Sequence, residues 1–260
     1  MNIVTIVQAR TGSTRLPAKV LMPLAGKPLL MRMLERIQQS KLAGTLCVAT
    51  TYLPEDLPVA QLCHDAGIPC YRGHPTDLLA RHYEAALMWK ADAVVKIPSD
   101  CPLIDPKVID KVIGFFIQAD GTYDYVSNLH PATFPDGNDV EIMKWKAFET
   151  ALKEASQPHE REHTTPFLFQ NPNRFLLGNV VMDKGLNLWD RYRLTIDYPE
   201  DYQVIRSVYE ALHPQNPHFG LNDITGFLDE HPHINDINLK YRGESWLKKH
   251  LEKENLTIPN

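Results

Sequence analysis

The chain has 260 residues, with 27 Lys and Arg against 32 Asp and Glu, a net charge of −5, 43% apolar content and 23% charged content. These are the proportions of a globular protein with a sizeable core, and a mildly acidic chain is not a general nucleic-acid binder, so any polyanion must be held by a local basic cluster. No apolar run approaches membrane-spanning length; Cys47, Cys63, Cys70 and Cys101 form no CxxC pair and follow no secretory h-region, which predicts reduced thiols in a cytoplasmic protein.

The first predicted element is an apolar strand over Ile3–Val7, followed by a loop that packs Arg10, Gly12, Ser13, Thr14, Arg15 and Lys19 into ten residues with no acid among them. Small and hydroxyl-bearing residues let backbone N–H groups approach phosphate oxygens, and Arg and Lys supply the counter-charge. A basic surface turn is the alternative. A helix follows, with Leu30, Met33, Leu34 and Ile37 on one face, then a strand over Leu46–Thr50. Tyr71 to Arg81 reads as a loop running into a helix capped by Thr76 or Asp77. Arg81 either points back toward a nucleotide or lies solvated on the surface. Leu79, Tyr83, Ala86 and Leu87 share the face of that helix.

The third apolar strand, Ala93–Ile97, runs into Pro98-Ser99-Asp100-Cys101. Asp100 reads equally as a metal ligand or as a cap of the next helix, whose core face is Ile109, Val112, Ile113 and Phe116; Asp105 reads as a cap. Beyond Asp120 the rhythm changes. Tyr123–Leu129 and Asn138–Met143 are predicted strands, and Pro135-Asp136-Gly137 between them a turn. Asn138, Asp139 and Glu141 give the second strand a polar face on which Asp139 or Glu141 would assist a metal or orient a hydroxyl. Helices are predicted over Lys144–Glu154 and from Pro158 toward Gln170; the second carries Arg161, a candidate for bidentate pairing with a ligand carboxylate or phosphate. Its His159-Glu160-Arg161-Glu162-His163 fits H-E-x-x-H, but Pro158 and Pro166 crowd the motif from both sides, against a zinc site. Strands over Arg174–Val181 and Arg193–Ile196 follow, the latter ending in Asp197, then a helix from Pro199 with Asp201 in its first turn. Helical pieces fill Asn222 to Leu256. Trp145, Trp189 and Trp246 read as packing anchors.

Strands alternating with helices predict an α/β fold of three layers around a mainly parallel sheet, one domain over residues 1–260 with an inserted arm at about residues 130–192. Such sheets bind ligands outside the carboxyl ends of their strands. Two strand-end carboxylates, Asp100 and Asp197, beside a cationic phosphate loop suggest Mg²⁺, which prefers a few carboxylates plus water and substrate phosphates.

Six motifs in order, QARTGSTRLPAKVL, GHPTDLLARHYEAA, SDCPLID, FPDGNDVEI, HEREHTTP and RLTIDYPEDY, resemble the cytidylyltransferase family, which activates acidic sugars such as sialic acid and Kdo as CMP conjugates. The resemblance spans about residues 1–210 and is nearest to the spore-coat polysaccharide (SpsF-like) branch. Two departures are Ala18 for a common Gly and Pro98-Ser99 for a common Thr-Gly. What the resemblance implies is a Rossmann-like (GT-A-like) nucleotidyltransferase fold and transfer of CMP from CTP to an acidic sugar or related polyhydroxy or phosphorylated acceptor, with pyrophosphate released, for surface polysaccharide synthesis. It implies that Arg10, Ser13, Arg15 and Lys19 hold the triphosphate, with Ala9, Gly12 and Ser99 lining the nucleotide. Gly73 and Arg81 would face the base and ribose, and Asp100 and Asp197 would hold Mg²⁺. Asn138, Asp139, Glu141, Arg161 and His163 would face the acceptor. By the same analogy the arm pairs two copies into a homodimer. A sugar-nucleotide-dependent glycosyltransferase is the rival reading, weakened because the second acid of its usual Asp-x-Asp pair is absent at Asp100-Cys101-Pro102; a protein that only binds nucleotide would not need Lys19, Asp100 and Asp197 together.

Overall fold

In the computed structural model, which describes residues 1–244, the first apolar run becomes β1 (Ile3–Gln8), the middle of the molecule. A small hairpin, β2 (Pro23–Leu24) with β3 (Lys27–Pro28), leads into α1 (Leu29–Ile37), β4 (Thr45–Thr51), α2 (Leu57–Asp65), β5 (Cys70–Gly73), α3 (Leu78–Met88), β6 (Ala93–Pro98) and α4 (Pro106–Gln118). Then come β7 (Tyr125–Ser127), β8 (Glu141–Lys144), α5 (Trp145–Glu154), α6 (Pro158–His163), α7 (Pro166–Phe169) and β9 (Leu177–Asn179). The chain continues through α8 (Pro199–Leu212), α9 (Leu221–Glu230), α10 (Pro232–Asn235) and a 3-10 helix, Asp236–Tyr241. Trp246 and the expected helical tail beyond residue 244 lie outside the described residues.

Seven strands form one sheet in the order β5-β4-β1-β6-β8-β7-β9. β1 is parallel to both neighbours, in register Val7 with Val48 and Val7 with Ile97. Only β8 runs against its neighbours, β6 and β7. Because strand side chains alternate, β1 feeds two cores. Val7, with Val95 and Ile97, packs under α1, α4 and α8 through Met33, Ile113 and Val204. Val4 and Ile6, with Val94, pack against α3, α5 and α7 through Leu79, Phe148 and Leu168. Burial of both faces is why these strands read as continuous apolar runs. It also leaves only the strand ends for chemistry.

The structure corrects four local expectations. Cys70–Gly73 is an edge strand beside β4, not loop. The helix expected from Pro158 to Gln170 is two: Thr164 sits at φ +74 and Pro166 starts a new turn. Arg193–Ile196 is no sheet strand; it makes a single bridge to Asp136. Leu87 is 54% exposed, while Arg81 and His82 are buried on α3 instead. The segment 130–192 supplies β8 and β9 to the central sheet and α5 to α7 to one of its faces; the rest of it is loop and a 3-10 turn at Asp183–Gly185. No helix among the described residues is long and apolar enough to cross a membrane.

Candidate active site

The loop after β1 leaves the sheet at its carboxyl edge. Ala9 is buried and its N–H still bonds Ala49 O at 3.0 Å. From Thr11 onward the chain is held by a side chain: Asp56 takes the Thr11 N–H at 2.6 Å and its hydroxyl at 2.8 Å. Ala18, at φ +53, turns the chain back, and its N–H closes the loop on Thr11 O at 2.9 Å. Between these anchors the loop faces outward. A Cβ placed on Gly12 would meet nothing within 4 Å, so there is room for a ligand's oxygens against the backbone.

Lys19 closes the loop and turns inward. Its Nζ donates to Ile196 O at 2.6 Å and Asp197 Oδ1 at 3.1 Å, and stands 3.5 Å from Asp100 Oδ2. Burial by itself would lower the Lys19 ammonium; Asp100 and Asp197 outweigh it and hold the group above its ordinary value. Arg15 Nη2 lies 2.6 Å from Asp197 Oδ1, its guanidinium over the Tyr198 ring at 5.4 Å. Burial would raise the Asp197 carboxyl, but Lys19 and Arg15 hold it below the usual carboxylate range. The structure thus brings Arg15, Lys19, Asp100 and Asp197 to one point, from loops 81 and 178 residues away from Lys19.

The donors there fit a hard divalent ion. Both carboxylates are partly open, with side chains 30% and 21% exposed. Asp139, next to Asp100, is pushed up to about 7 by burial, then by the charges of Asp100 and Glu141. Among the described residues no three His, Cys, Asp or Glu side chains converge as a complete protein cage. Two carboxylates completed by water and phosphate oxygens are the pattern of a hard divalent ion rather than of a zinc cage.

The other expected site residues are placed less directly. Arg10 reaches sideways to Pro75 O at 3.3 Å. Ser13 stays in the loop, its Oγ taking the Leu16 N–H at 3.4 Å. Ser99 is half-buried in the turn after β6. Gly73 ends β5, where a Cβ would come within 2.6 Å of the Tyr71 ring. Arg81 is not solvated: it is fully buried, donates to Gln8 Oε1 at 3.2 Å and His74 O at 3.0 Å, and is held down to about 10 by burial and by Arg10. It braces the 74–77 loop from beneath.

Three of the residues expected at the acceptor turn out to be engaged within the protein. Glu141 is buried, paired with Lys96 and taking the Tyr125 hydroxyl at 2.6 Å, so its carboxylate does not open to a ligand. Arg161 spends its fork on Asp77 and on Leu152 O at 2.9 Å, tying α6 to the cap of α3. Asn138 is buried, its Oδ1 taking the Asp105 N–H at 3.0 Å. His163 is half-buried and its carbonyl accepts from Lys96. Asp139 alone of this group stands beside the strand-end acids. The H-E-x-x-H reading also fails. Helix α6 has six residues, and the Glu160 carboxylate accepts the Ser156 and Gln157 N–H groups at 2.8 Å as a cap. Asp105 and Asp201 cap α4 and α8 as expected.

Sequence reasoning passed over Asp56, Lys96 and Arg193. All three are buried or nearly so, and each acts on at least one partner 45 or more residues away, a relation that carries no local spacing signal.

A parallel α/β sheet whose central strand ends in a cationic, glycine-bearing loop, facing two carboxylates on neighbouring loops, is the architecture of a nucleotide-handling transferase. The family model for cytidylyltransferases matches residues 4–216. An uncharacterized protein of Methanocaldococcus jannaschii is 34% identical over 95% of this chain and 98% of its own length. The spore coat polysaccharide biosynthesis protein SpsF of Bacillus subtilis is 27% identical over 89% of this chain and 95% of its own. Among solved structures, a cytidylyltransferase from Leptospira borgpetersenii superposes with a TM-score of 0.85 at 30% identity, covering 94% of this chain and 98% of that one. A CMP:2-keto-3-deoxy-manno-octonic acid synthetase complexed with CTP shares the fold, with a TM-score of 0.60 at 17% identity over 80% of this chain and 98% of its own. The chain belongs to the cytidylyltransferase family and is a nucleotidyltransferase.

Proposed function

We propose that this enzyme transfers CMP from CTP to an acidic sugar, or a related polyhydroxy or phosphorylated acceptor, for surface polysaccharide synthesis. The observation that carries the reading is the Lys19 ammonium set between Asp100 and Asp197 at the lip of the phosphate loop. The acceptor class is supported by likeness to SpsF and, over about half the length of each, to a 3-deoxy-manno-octulosonate cytidylyltransferase of Trichlorobacter lovleyi, 38% identical over 122 residues.

In the reaction an acceptor oxygen forms a bond to the α-phosphorus of CTP. The bond from that phosphorus to the β-bridging oxygen breaks, pyrophosphate leaves with the electron pair, and the acceptor hydroxyl gives up its proton. Little covalent chemistry falls to the protein; position and charge do the work. The open backbone around Gly12 and Ser13 holds phosphate oxygens. Arg15, kept charged by Asp197, and Lys19, kept charged by Asp100 and Asp197, neutralise the charge that grows on the leaving pyrophosphate. Asp139, which lies within the field of Asp100 at the strand ends, would take the acceptor proton. Asp100 and Asp197 would hold Mg²⁺, which when bound screens the α-phosphate and leaving-group charge.

A CTP-dependent reaction fits the cytoplasm, where Cys47, Cys63, Cys70 and Cys101, all free thiols, stay reduced. A homodimer joined through the 130–192 segment, where Leu176 and Leu186 are 60% and 50% exposed, would give one mass of two chains by light scattering. The deciding experiment is a pyrophosphate-release screen of four nucleoside triphosphates against acidic sugars, phosphosugars and polyols. Release with CTP and one acceptor class supports the reading. Nucleoside diphosphate release from a sugar nucleotide instead replaces it with the glycosyltransferase.

A further inference from the structure

The family match stops at residue 216, but the chain beyond it returns to the candidate site. Asp197 ends a stretch, Arg193–Ile196, that no sheet ladder fixes. Its backbone is pinned by Asp201, fully buried, whose Oδ2 takes the Asp197 N–H at 2.9 Å and the Tyr198 N–H at 3.0 Å. Asp201 is in turn fixed by two donors on Oδ1: Arg193 Nε and Asn238 Nδ2, both at 2.9 Å. Asn238, with no exposed surface, gives a second bond to Arg193 O at 3.0 Å. Three residues on, Tyr241 stacks on Tyr198 with centroids 3.8 Å apart and planes 6° from parallel, and its carbonyl lies 3.3 Å from Arg193 Nη1.

The Arg193 guanidinium is buried among three carboxylates: Asp136 at 3.0 Å, Asp201 at 2.9 Å and Asp197 at 3.6 Å. Its pull on Asp197 competes with Lys19 and Arg15, and with any cation in front of them. Which carboxylate Arg193 favours depends on how firmly Asp201 is oriented, and the Asn238 amide is the neutral donor that orients it. A guanidinium there would be a second buried charge, and an apolar side chain would leave an Asp201 oxygen short of a partner.

We propose that Asn238 and Tyr241 are positioning residues. The segment Asp236–Tyr241 is a buttress that holds Asp201 and Tyr198, and through them aims the Asp197 carboxylate at the metal of the bound nucleotide. This rests on the metal role given to Asp197 under the proposed function.

The test uses the full chain and Mn²⁺ as probe, its binding read by electron paramagnetic resonance with CTP present. CTP binding without metal is measured by calorimetry. Asn238→Ala and Tyr241→Leu weaken Mn²⁺ about tenfold, as loss of a group orienting a metal ligand does, and leave metal-free CTP binding unchanged. Tyr241→Phe keeps the stack and keeps wild-type Mn²⁺ affinity. Unchanged Mn²⁺ affinity in Asn238→Ala and Tyr241→Leu overturns the proposal, as does a fall in metal-free CTP binding of the same size, which marks general loss of structure. Should Asn238→Ala not fold, the Tyr241 pair decides alone. Asp197→Asn is run beside them. An effect there with none at 238 or 241 sinks only the buttress; no effect there sinks the metal reading and the buttress with it.

Discussion

At the scale of single residues the site divides into groups that face the ligand and groups that hold those groups still. Asp100 belongs to the first. Its side chain is 30% exposed, and among the described residues its one ion pair is with Lys19 at 3.5 Å, which has better partners elsewhere. Asp100→Asn therefore keeps the fold and lowers kcat by on the order of 10²–10³, the usual cost of removing one preorganised electrostatic contact; unchanged circular dichroism with near-normal pyrophosphate release would contradict the assignment. Arg161 belongs to the second group. With two donors on Asp77 and one on Leu152 O, its loss leaves α6 and α3 untied. Arg161→Ala costs about 1–3 kcal/mol of stability by denaturant titration, and the KM for the acceptor stays where it was. The contrast explains what was legible. Arg10 to Lys19 could be read because a phosphate loop gathers its groups within ten residues. The engagement of Glu141 and Arg161 could not, because Lys96 and Asp77 lie 45 and 84 residues from them.

Elements obeyed the same rule. Strands β1, β4 and β6 were visible in the sequence because burial on both faces leaves long apolar runs, and α1 and α4 because one face is apolar at helical spacing. Helix α2 and strand β5 were not, being short and half-exposed at the sheet edge. The run Arg193–Ile196 looked like a strand for its apolar residues, but among the described residues only one bridge, to Asp136, pairs with it; it crosses the ends of other elements, bonded to Asp136 O by Leu194 and to Asp100 O by Ile196 at 2.7 and 2.9 Å. Those two bonds set the height of Asp197 above the sheet. Gly137 is what lets the neighbouring loop come so close: it sits at φ +95, and a Cβ would lie 2.5 Å from Leu194 C and 2.6 Å from Thr195 N. Gly137→Ala accordingly forces the two segments apart. The expected result is a loss of roughly 1–3 kcal/mol from strained backbone and clash, together with a kcat defect, since Asp197 moves with Thr195. A variant that melts like wild type and turns over normally would mean the approach of these loops is not what places Asp197.

For the whole molecule, the net charge of −5 hides an uneven distribution: the acids of the strand ends crowd a few buried cations, so proton linkage should be visible in global stability. Two opposite signs are built in. Burial would raise Glu141, but Lys96, Thr165 and Tyr125 hold it below the usual carboxylate range, and Asp197 is held down likewise by Lys19 and Arg15. Groups lowered on folding contribute stability above their unfolded values, near 4.5 and 3.8, and lose it as pH falls through the folded ones. Asp139 has the other sign. Raised from 3.8 to about 7 by burial and by Asp100 and Glu141, it is most favourable to folding when protonated, and that contribution fades as pH climbs to about 7. Asp136, raised by burial and by Asp139, shares that sign, and His82, lowered to about 3 by burial, opposes it up to pH 6.5. The metal-free protein should thus gain stability from pH 3 to about pH 5, while the limb from about pH 5 to 8 is a balance in which Asp139 and Asp136 pull down and His82 pulls up. Urea midpoints measured across that range test both limbs. Asp139→Asn should raise the upper limb relative to wild type and leave the lower one, because it removes a proton that the fold favours. If the upper limb is the same in wild type and Asp139→Asn, the raised proton does not sit on Asp139, and the role given to it in taking the acceptor proton falls with it.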